Sequence, residues 1–195
     1  GGCNGCSRCC HGMGNSIILD PYDVYRMTTG MGKSMQELLA ASVELNVVDG
    51  VILPNLKMQG TEEACAYLDE EGRCSIHPYR PGICRLFPLG RYYENGGFSY
   101  FLQTGECAKE NRSKIKVSKW IDTPDLTRNQ QFTLQWHDLL HAMEERLTGE
   151  DEGKQREENL LLLRLFYLLP YEGTIDFYTQ FTERMEHWNG QNGQI

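Results

Sequence analysis

The sequence predicts an α+β protein in which a small cysteine-rich part, built from short helices and β-hairpins, precedes a helical part. All eight cysteines fall before residue 118. Turn-forming residues separate short β-type segments between residues 47 and 102. Apolar residues then recur at helical spacing beyond residue 118. The expected division is a cysteine-cluster domain over residues 1–117, a helical extension packing on it over 118–188, and a frayed tail over 189–195.

Two helices are expected after the first cysteines. Asp20-Pro21 is a typical N-cap and first helical residue, which predicts a helix from Pro21 to Met27. A break is expected over residues 28–32. Ser34 and Glu37 have capping-box spacing, which predicts a second helix from Met35 to Leu45.

Three hairpins and three long helices complete the expected elements. The hairpins span residues 47–53, 65–76 and 91–102, with turns at 49–50, 69–72 and 94–97. Pro78 and Pro81 predict a short helical turn before Cys84. The helices are expected at 132–147, 158–169 and 175–188.

Charge and hydropathy exclude some classes of protein. The formal net charge is −8, which argues against a general nucleic-acid binder, since such proteins need a basic face. No apolar run has the length that a bilayer requires, so no membrane partner is expected. With no signal peptide in the sequence, a cytoplasmic location is expected. The expected partner is an unidentified protein or small molecule.

The cysteines are the candidate metal ligands. Thiolates select zinc, copper(I) or iron–sulfur centres, and C-x-x-C spacing lets one turn aim two sulfurs at one ion. Disulfides are disfavoured because the chain can bury a core unaided and adjacent cysteines pair only with strain. The candidates are Cys3, Cys6, Cys9, Cys10, Cys65, Cys74, Cys84 and Cys107.

Other polar residues near the cysteines could assist a metal centre. His11 and His77 flank cysteines and are possible further ligands. Four thiolates around Zn²⁺ or [4Fe–4S]²⁺ leave a net charge of about −2, which favours nearby cations. The arginines next to cysteines are Arg8, Arg73, Arg80 and Arg85. His137 and His141 are spaced i, i+4 without the glutamate of a metalloprotease motif, and are interpreted as a polar helix face.

The cysteine pattern resembles the CxxCxxCC cysteine-cluster family, whose members are named for chelating zinc or iron. The resemblance covers residues 3 to about 108. It rests on C-x-x-C-x-x-C-C at residues 3–10, on G-R-C-S-I at 72–76, and on R-P-G-I-C-R-L-F-P at 80–88. The cysteine cluster of bacterial flagellin lysine N-methylases is similar, which implies an iron–sulfur centre supporting methyl transfer from S-adenosylmethionine.

Three functional hypotheses follow. The favoured one is a metal-binding protein with an iron–sulfur (4Fe–4S) or iron centre and a redox or S-adenosylmethionine-linked role, because adjacent Cys9 and Cys10 suit a polynuclear centre. The alternative is a non-catalytic structural zinc module for protein interaction. The third is a mononuclear or dinuclear iron enzyme with Cys and His ligands and an open coordination position.

Overall fold

The computed structural model describes residues 6–107 and 114–192 and confirms the α+β class. Cys3 therefore lies outside the described residues, as do residues 193–195 of the expected tail. The regular elements before residue 108 are α1 (Pro21–Met31), α2 (Met35–Ala41), β1 (Val43–Val48), β2 (Val51–Leu56), β3 (Met58–Gln59), β4 (Ala64–Cys65), α3 (Gly82–Leu86), β5 (Leu89–Glu94) and β6 (Gly97–Leu102). Those that follow are α4 (Val117–Ile121), α5 (Leu126–Leu147), α6 (Glu152–Leu163), a π-helical turn (Arg164–Leu168) and α7 (Phe177–Asn192).

Helix α1 begins where the sequence predicts, but the predicted break at 28–32 is wrong. Asp20 Oδ1 accepts from the Asp23 backbone N–H at 2.8 Å, which caps the helix. Thr28 and Thr29 are helical, and their hydroxyls donate back to carbonyls one turn earlier, at 2.7 and 2.6 Å. The helix ends only at Gly32, whose φ of 64° is the left-handed conformation that glycine adopts freely.

Helix α2 begins at Met35 as predicted but ends at Ala41, so the predicted extension to Leu45 is wrong. The capping box is present, with the Ser34 N–H donating to Glu37 Oε2 at 2.7 Å. Val43–Val48 instead forms β1 and pairs along its whole length with β2. A cross-strand ladder and burial of Val43 outweigh the helical spacing of the apolar residues.

The first and third predicted hairpins are confirmed, each longer than expected. Asp49 and Gly50 both have positive φ, 51° and 81°, as a two-residue hairpin turn of the primed type requires. Strands β5 and β6 pair from Leu89–Leu102 to Glu94–Gly97. Both hairpins are two-stranded sheets.

The second predicted hairpin is partly wrong. The turn at 69–72 exists, and Leu68 and Cys74 form an isolated antiparallel bridge beyond it. Cys65, however, pairs with Met58, so its strand partner precedes it in the chain. The short loop at 77–82 contains a 3₁₀ turn over His77–Tyr79 and leads into α3, as its prolines predict.

The later helices share a hydrophobic core with the cysteine-bearing part. Leu19 and Val24 belong to the same buried cluster as Phe132 and Phe166. The Tyr167 hydroxyl donates to the Leu19 carbonyl at 3.1 Å. The predicted domain boundary at residue 117 stays a prediction.

Asn159 of α6 forms hydrogen bonds to the first hairpin and so connects it to the later helices. Its Oδ1 accepts from the Ile52 N–H at 2.6 Å, and its Nδ2 donates to the Gly50 carbonyl at 3.2 Å. Helix α6 begins six residues before the predicted start at Glu158, and the predicted end of that helix forms the π-helical turn. Among residues 6–107 and 114–192, no helix is long and apolar enough to cross a bilayer.

Gly30→Ala is expected to lower the free energy of unfolding by about 1–3 kcal/mol, because overpacking displaces neighbouring side chains. A Cβ on Gly30 would lie 2.3 Å from Cδ1 and 2.8 Å from Cγ of Tyr79, so the whole ring must move. Urea denaturation measures the loss. Gly190→Ala is the control, since its added Cβ meets no atom within 4 Å and α7 should gain up to about 1 kcal/mol in helix propensity. Equal effects would contradict the packing of α1 on Tyr79.

Candidate metal centre

A 3₁₀ turn over Arg8–Cys10 carries Cys9 and Cys10. The Cys10 N–H donates to the Ser7 carbonyl at 2.8 Å, and His11 Nδ1 lies 3.0 Å from the same oxygen. His11 also bridges to Ala64, the neighbour of Cys65. The turn is therefore attached to β4, which brings Cys9 and Cys10 close to Cys65.

Cys65 and Cys74 are held by the turn between them. The Leu68 N–H donates to the Cys65 carbonyl at 2.9 Å, and Leu68 then bridges to Cys74. Asp69 Oδ1 accepts from the Glu71 and Arg73 N–H groups at 3.1 and 2.7 Å, which stabilises the turn in the way typical of aspartate. The returning chain thus places Cys74 near Cys65.

Cys84 lies on α3, and a buried ion pair holds that helix in place. Asp23 of α1 accepts from the Gly82 N–H at 2.6 Å and lies 3.5 Å from Arg85 Nη2. The Asp23 and Arg85 side chains are only 2% and 5% exposed. Burial raises the pKa of Asp23, and the charge of Arg85 opposes that shift. From the other side, Trp120 of α4 donates to the carbonyls of Leu86 and Phe87.

The adjacent thiols of Cys9 and Cys10 act as a pair. A hydrogen bond from Cys10 lowers the pKa of Cys9 to about 6, and the same bond raises the pKa of Cys10. The hydrogen bond thus favours the thiolate form of Cys9. The thiolate is the form in which cysteine binds metal.

Five thiols from three stretches of chain interact with one another, and we call them the thiol group. Burial is the main cause that raises the pKa of Cys65, Cys74 and Cys84. Neighbouring thiols raise these values further, because each added thiolate repels the next. The members of the thiol group are Cys9, Cys10, Cys65, Cys74 and Cys84.

The remaining predicted ligands are less closely tied to this group. Cys6 is exposed and Cys107 is partly buried. Cys3 is outside the described residues. No disulfide joins the seven described cysteines. Within 6–107 and 114–192, no three Cys, His, Asp or Glu side chains already meet in the geometry of a metal site. The donor set fits a soft metal ion by its chemistry.

The four arginines that lie next to cysteines in the sequence differ in their surroundings in the structure. Arg80 contributes to lowering the pKa of Cys9 and opposes the burial that raises the pKa of Cys74. Arg85 is paired with Asp23, whereas Arg8 and Arg73 are exposed. Only Arg80 of these four therefore acts on the thiol group through its charge and without a carboxylate partner among the described residues.

The histidines take other roles in this structure. His77 Nε2 accepts a hydrogen bond from Arg80 Nη1, and burial lowers the pKa of His77. His137 stacks on Tyr93 with ring centroids 3.8 Å apart and an interplanar angle of 11°. These contacts agree with the interpretation of His137 as a residue of a helix face.

Sequence reasoning missed Asp23 and Arg26. Asp23 occupies the third position of α1, where a carboxylate is expected to cap the helix, and it does accept from the Asp20 N–H at 3.3 Å. Its second role, the contact with Gly82 across 59 positions, has no local signal. Arg26 Nη2 donates to the Pro78 carbonyl at 2.5 Å, again a long-range contact.

Asp23→Asn is expected to lower the free energy of unfolding by about 3–5 kcal/mol, because the buried Arg85 charge loses its carboxylate. Thermal and urea denaturation of the metal-free protein measure the change. Asp176→Asn is the control: it removes a carboxylate 2.8 Å from Arg128, where both side chains are about half exposed. That substitution should cost at most about 1 kcal/mol. Similar decreases in the free energy of unfolding of the two variants would mean that the buried ion pair does not hold α3 against α1.

Comparison with known proteins agrees with this donor set. A family model described as CxxCxxCC, a putative zinc- or iron-chelating domain, matches residues 2–133. That range contains all eight cysteines and extends into α5. No curated protein and no solved structure matches the chain. Since the match covers well over half of the 195 residues, the chain belongs to the CxxCxxCC family.

Proposed function

We propose that this protein holds a polynuclear iron–sulfur centre through the thiol group and uses it in redox or S-adenosylmethionine-linked chemistry. The observation that carries the proposal is the convergence of five interacting thiols from residues 9–10, 65–74 and 84. Cys3, Cys6 and Cys107 are proposed as further ligands.

Electrostatics supports metal binding over a purely structural role for these cysteines. A buried structural cysteine is a neutral thiol that packs like a small apolar residue. Cys9 instead has a pKa of about 6 and lies among four more thiols. Ionising the others adds repulsion, which a bound cation removes, so metal binding and thiol deprotonation support each other.

The number and order of the thiols favour a polynuclear centre. One structural zinc ion takes four ligands, and the thiol group alone offers five. In an iron–sulfur cluster, neighbouring thiolates such as Cys9 and Cys10 can bind different irons. The similar cysteine cluster of flagellin lysine N-methylases favours the same choice.

A closed structural zinc site is the second candidate. Cys65 and Cys74 lie on backbone that is fixed by cross-strand pairing and by tight turns, as a rigid closed site requires. The family description also names zinc beside iron. In that case the protein binds a partner and catalyses nothing.

Purification without oxygen distinguishes the two candidates. The proposal predicts a brown protein with a broad band near 400 nm, together with iron and acid-labile sulfide. A colourless protein with stoichiometric zinc supports the second candidate and overturns the first. A protein that takes up neither metal overturns both.

Cys84→Ser is expected to lose the metal and, with it, stability, because binding free energy at such a site is folding free energy. Metal content and thermal unfolding are measured on the same samples. Ile83→Ser is the matched control, since Ile83 lies on the same helix and is 38% exposed. If Cys84→Ser stays fully loaded, Cys84 is not a ligand.

A further inference from the structure

We propose that Arg80 is a positioning residue for the metal centre: with Arg26 and Arg85 it forms a cationic pocket beside the thiol group and donates an N–H to a metal-bound thiolate. This inference rests on the proposed function, since it concerns the charge of a loaded thiolate centre. It adds residues that are not ligands and that set the affinity and electronic properties of the centre.

The three arginines converge from separate elements. Arg26 comes from α1 and donates to the Pro78 carbonyl, in the loop that carries Arg80. Arg80 donates to His77, and Arg85 follows on α3. The guanidinium carbons of Arg26 and Arg85 both lie over the ring of Tyr22, 5.9 and 5.7 Å from its centroid.

Each of these arginines has a buried N–H with no acceptor among the described residues. The atoms are Arg26 Nη1, Arg80 Nε and Arg85 Nε. A buried donor without a partner costs about 1–3 kcal/mol, more when it is charged, so native proteins rarely retain three together. These N–H groups are therefore available to acceptors that carry negative charge.

Carboxylates do not supply enough of this charge. Asp23 pairs with Arg85, which is 95% buried. Arg26 and Arg80 have no carboxylate at salt-bridge distance within residues 6–107 and 114–192. Within that part of the chain, Asp23 is thus the one carboxylate at ion-pair distance from any of these three guanidinium groups.

The thiol group is the anion that fits this pocket. Arg80 is connected to the second stretch of cysteines through His77: Arg80 Nη1 donates to His77 Nε2, and the His77 N–H donates to the Cys74 carbonyl at 3.2 Å. Four thiolates around Zn²⁺ or [4Fe–4S]²⁺ carry a net charge of about −2, and their sulfurs accept hydrogen bonds. A cation and an N–H at this position stabilise the loaded centre more than the metal-free thiols. Replacement of groups around the first ligands typically costs 10–100-fold in metal affinity.

The test is anaerobic titration of metal-free protein with Co²⁺, whose thiolate bands report binding, in competition with a chelator. Arg80→Gln is expected to weaken Co²⁺ binding by about 10-fold or more. Arg80→Lys restores the charge and should recover most of that loss. Arg73→Gln is the matched control, because Arg73 adjoins Cys74 in sequence but is exposed; its affinity should equal that of the wild type. Arg26→Gln tests the same pocket from α1 and should weaken binding in the same direction.

The outcomes separate this inference from the proposed function. Wild-type protein that binds no Co²⁺ and carries neither iron nor zinc after anaerobic purification overturns the proposed function. Wild-type protein that binds Co²⁺ while Arg80→Gln binds it equally well overturns only the role of Arg80. Equal losses in Arg80→Gln and Arg73→Gln also overturn it, because a general charge effect would then suffice. Arg80→Lys could also bind Co²⁺ as weakly as Arg80→Gln while the thermal unfolding of the metal-free protein is unchanged. That result contradicts a role for the charge of Arg80.

Discussion

The buried contact of Asp23 with α3 is the interaction on which the candidate centre depends. Asp23 caps α1, accepts from the Gly82 N–H and pairs with Arg85, so one carboxylate fixes two helices at once. Cys84 is the third residue of α3 and lies between these two contacts in sequence. Without Asp23, the loop from residue 77 to 82 would have little to hold it against α1 beyond the Tyr79 ring on Gly30 and the Arg26 hydrogen bond to Pro78.

The site also concentrates charge of both signs in a small volume. The thiol group becomes negatively charged as its members ionise, and the three arginines beside it are positively charged. Burial opposes ionisation of most of these thiols, since it raises the pKa of Cys65, Cys74 and Cys84. A bound metal ion offsets both effects, because it stabilises the thiolates that burial and mutual repulsion disfavour. Folding, ionisation and metal binding are thus expected to be coupled.

Capping and turn motifs in the sequence predicted element starts correctly, whereas the apolar spacing alone placed the start of α6 six residues too late. Asp20-Pro21 and Ser34 correctly marked two helix starts, and Asp49-Gly50 correctly marked a hairpin. These signals depend on a few adjacent residues. The end of α2 was missed because pairing of β1 with β2, a tertiary effect, decided the conformation of Val43 and its neighbours.

The chemical class of the candidate site could be predicted from cysteine spacing and family resemblance, but its geometry could not. The convergence of Cys10, Cys65 and Cys84 depends on contacts between distant segments, such as Asp23 with Gly82. Arg26 carried no motif, and its place beside Arg80 follows from the way that α1 packs on the loop before α3. Proximity in sequence also suggested Arg73 as a cation that assists the metal centre. Arg73 adjoins Cys74 but is exposed.

The most direct test of this account is anomalous diffraction from crystals grown without oxygen, recorded at the iron and zinc absorption edges. The account predicts a metal peak within about 2.3 Å of sulfurs from the thiol group, with Cys84 and at least one of Cys9 and Cys10 as ligands. A metal held elsewhere, for example by His137 and His141 on α5, with the thiol group unligated, would contradict it.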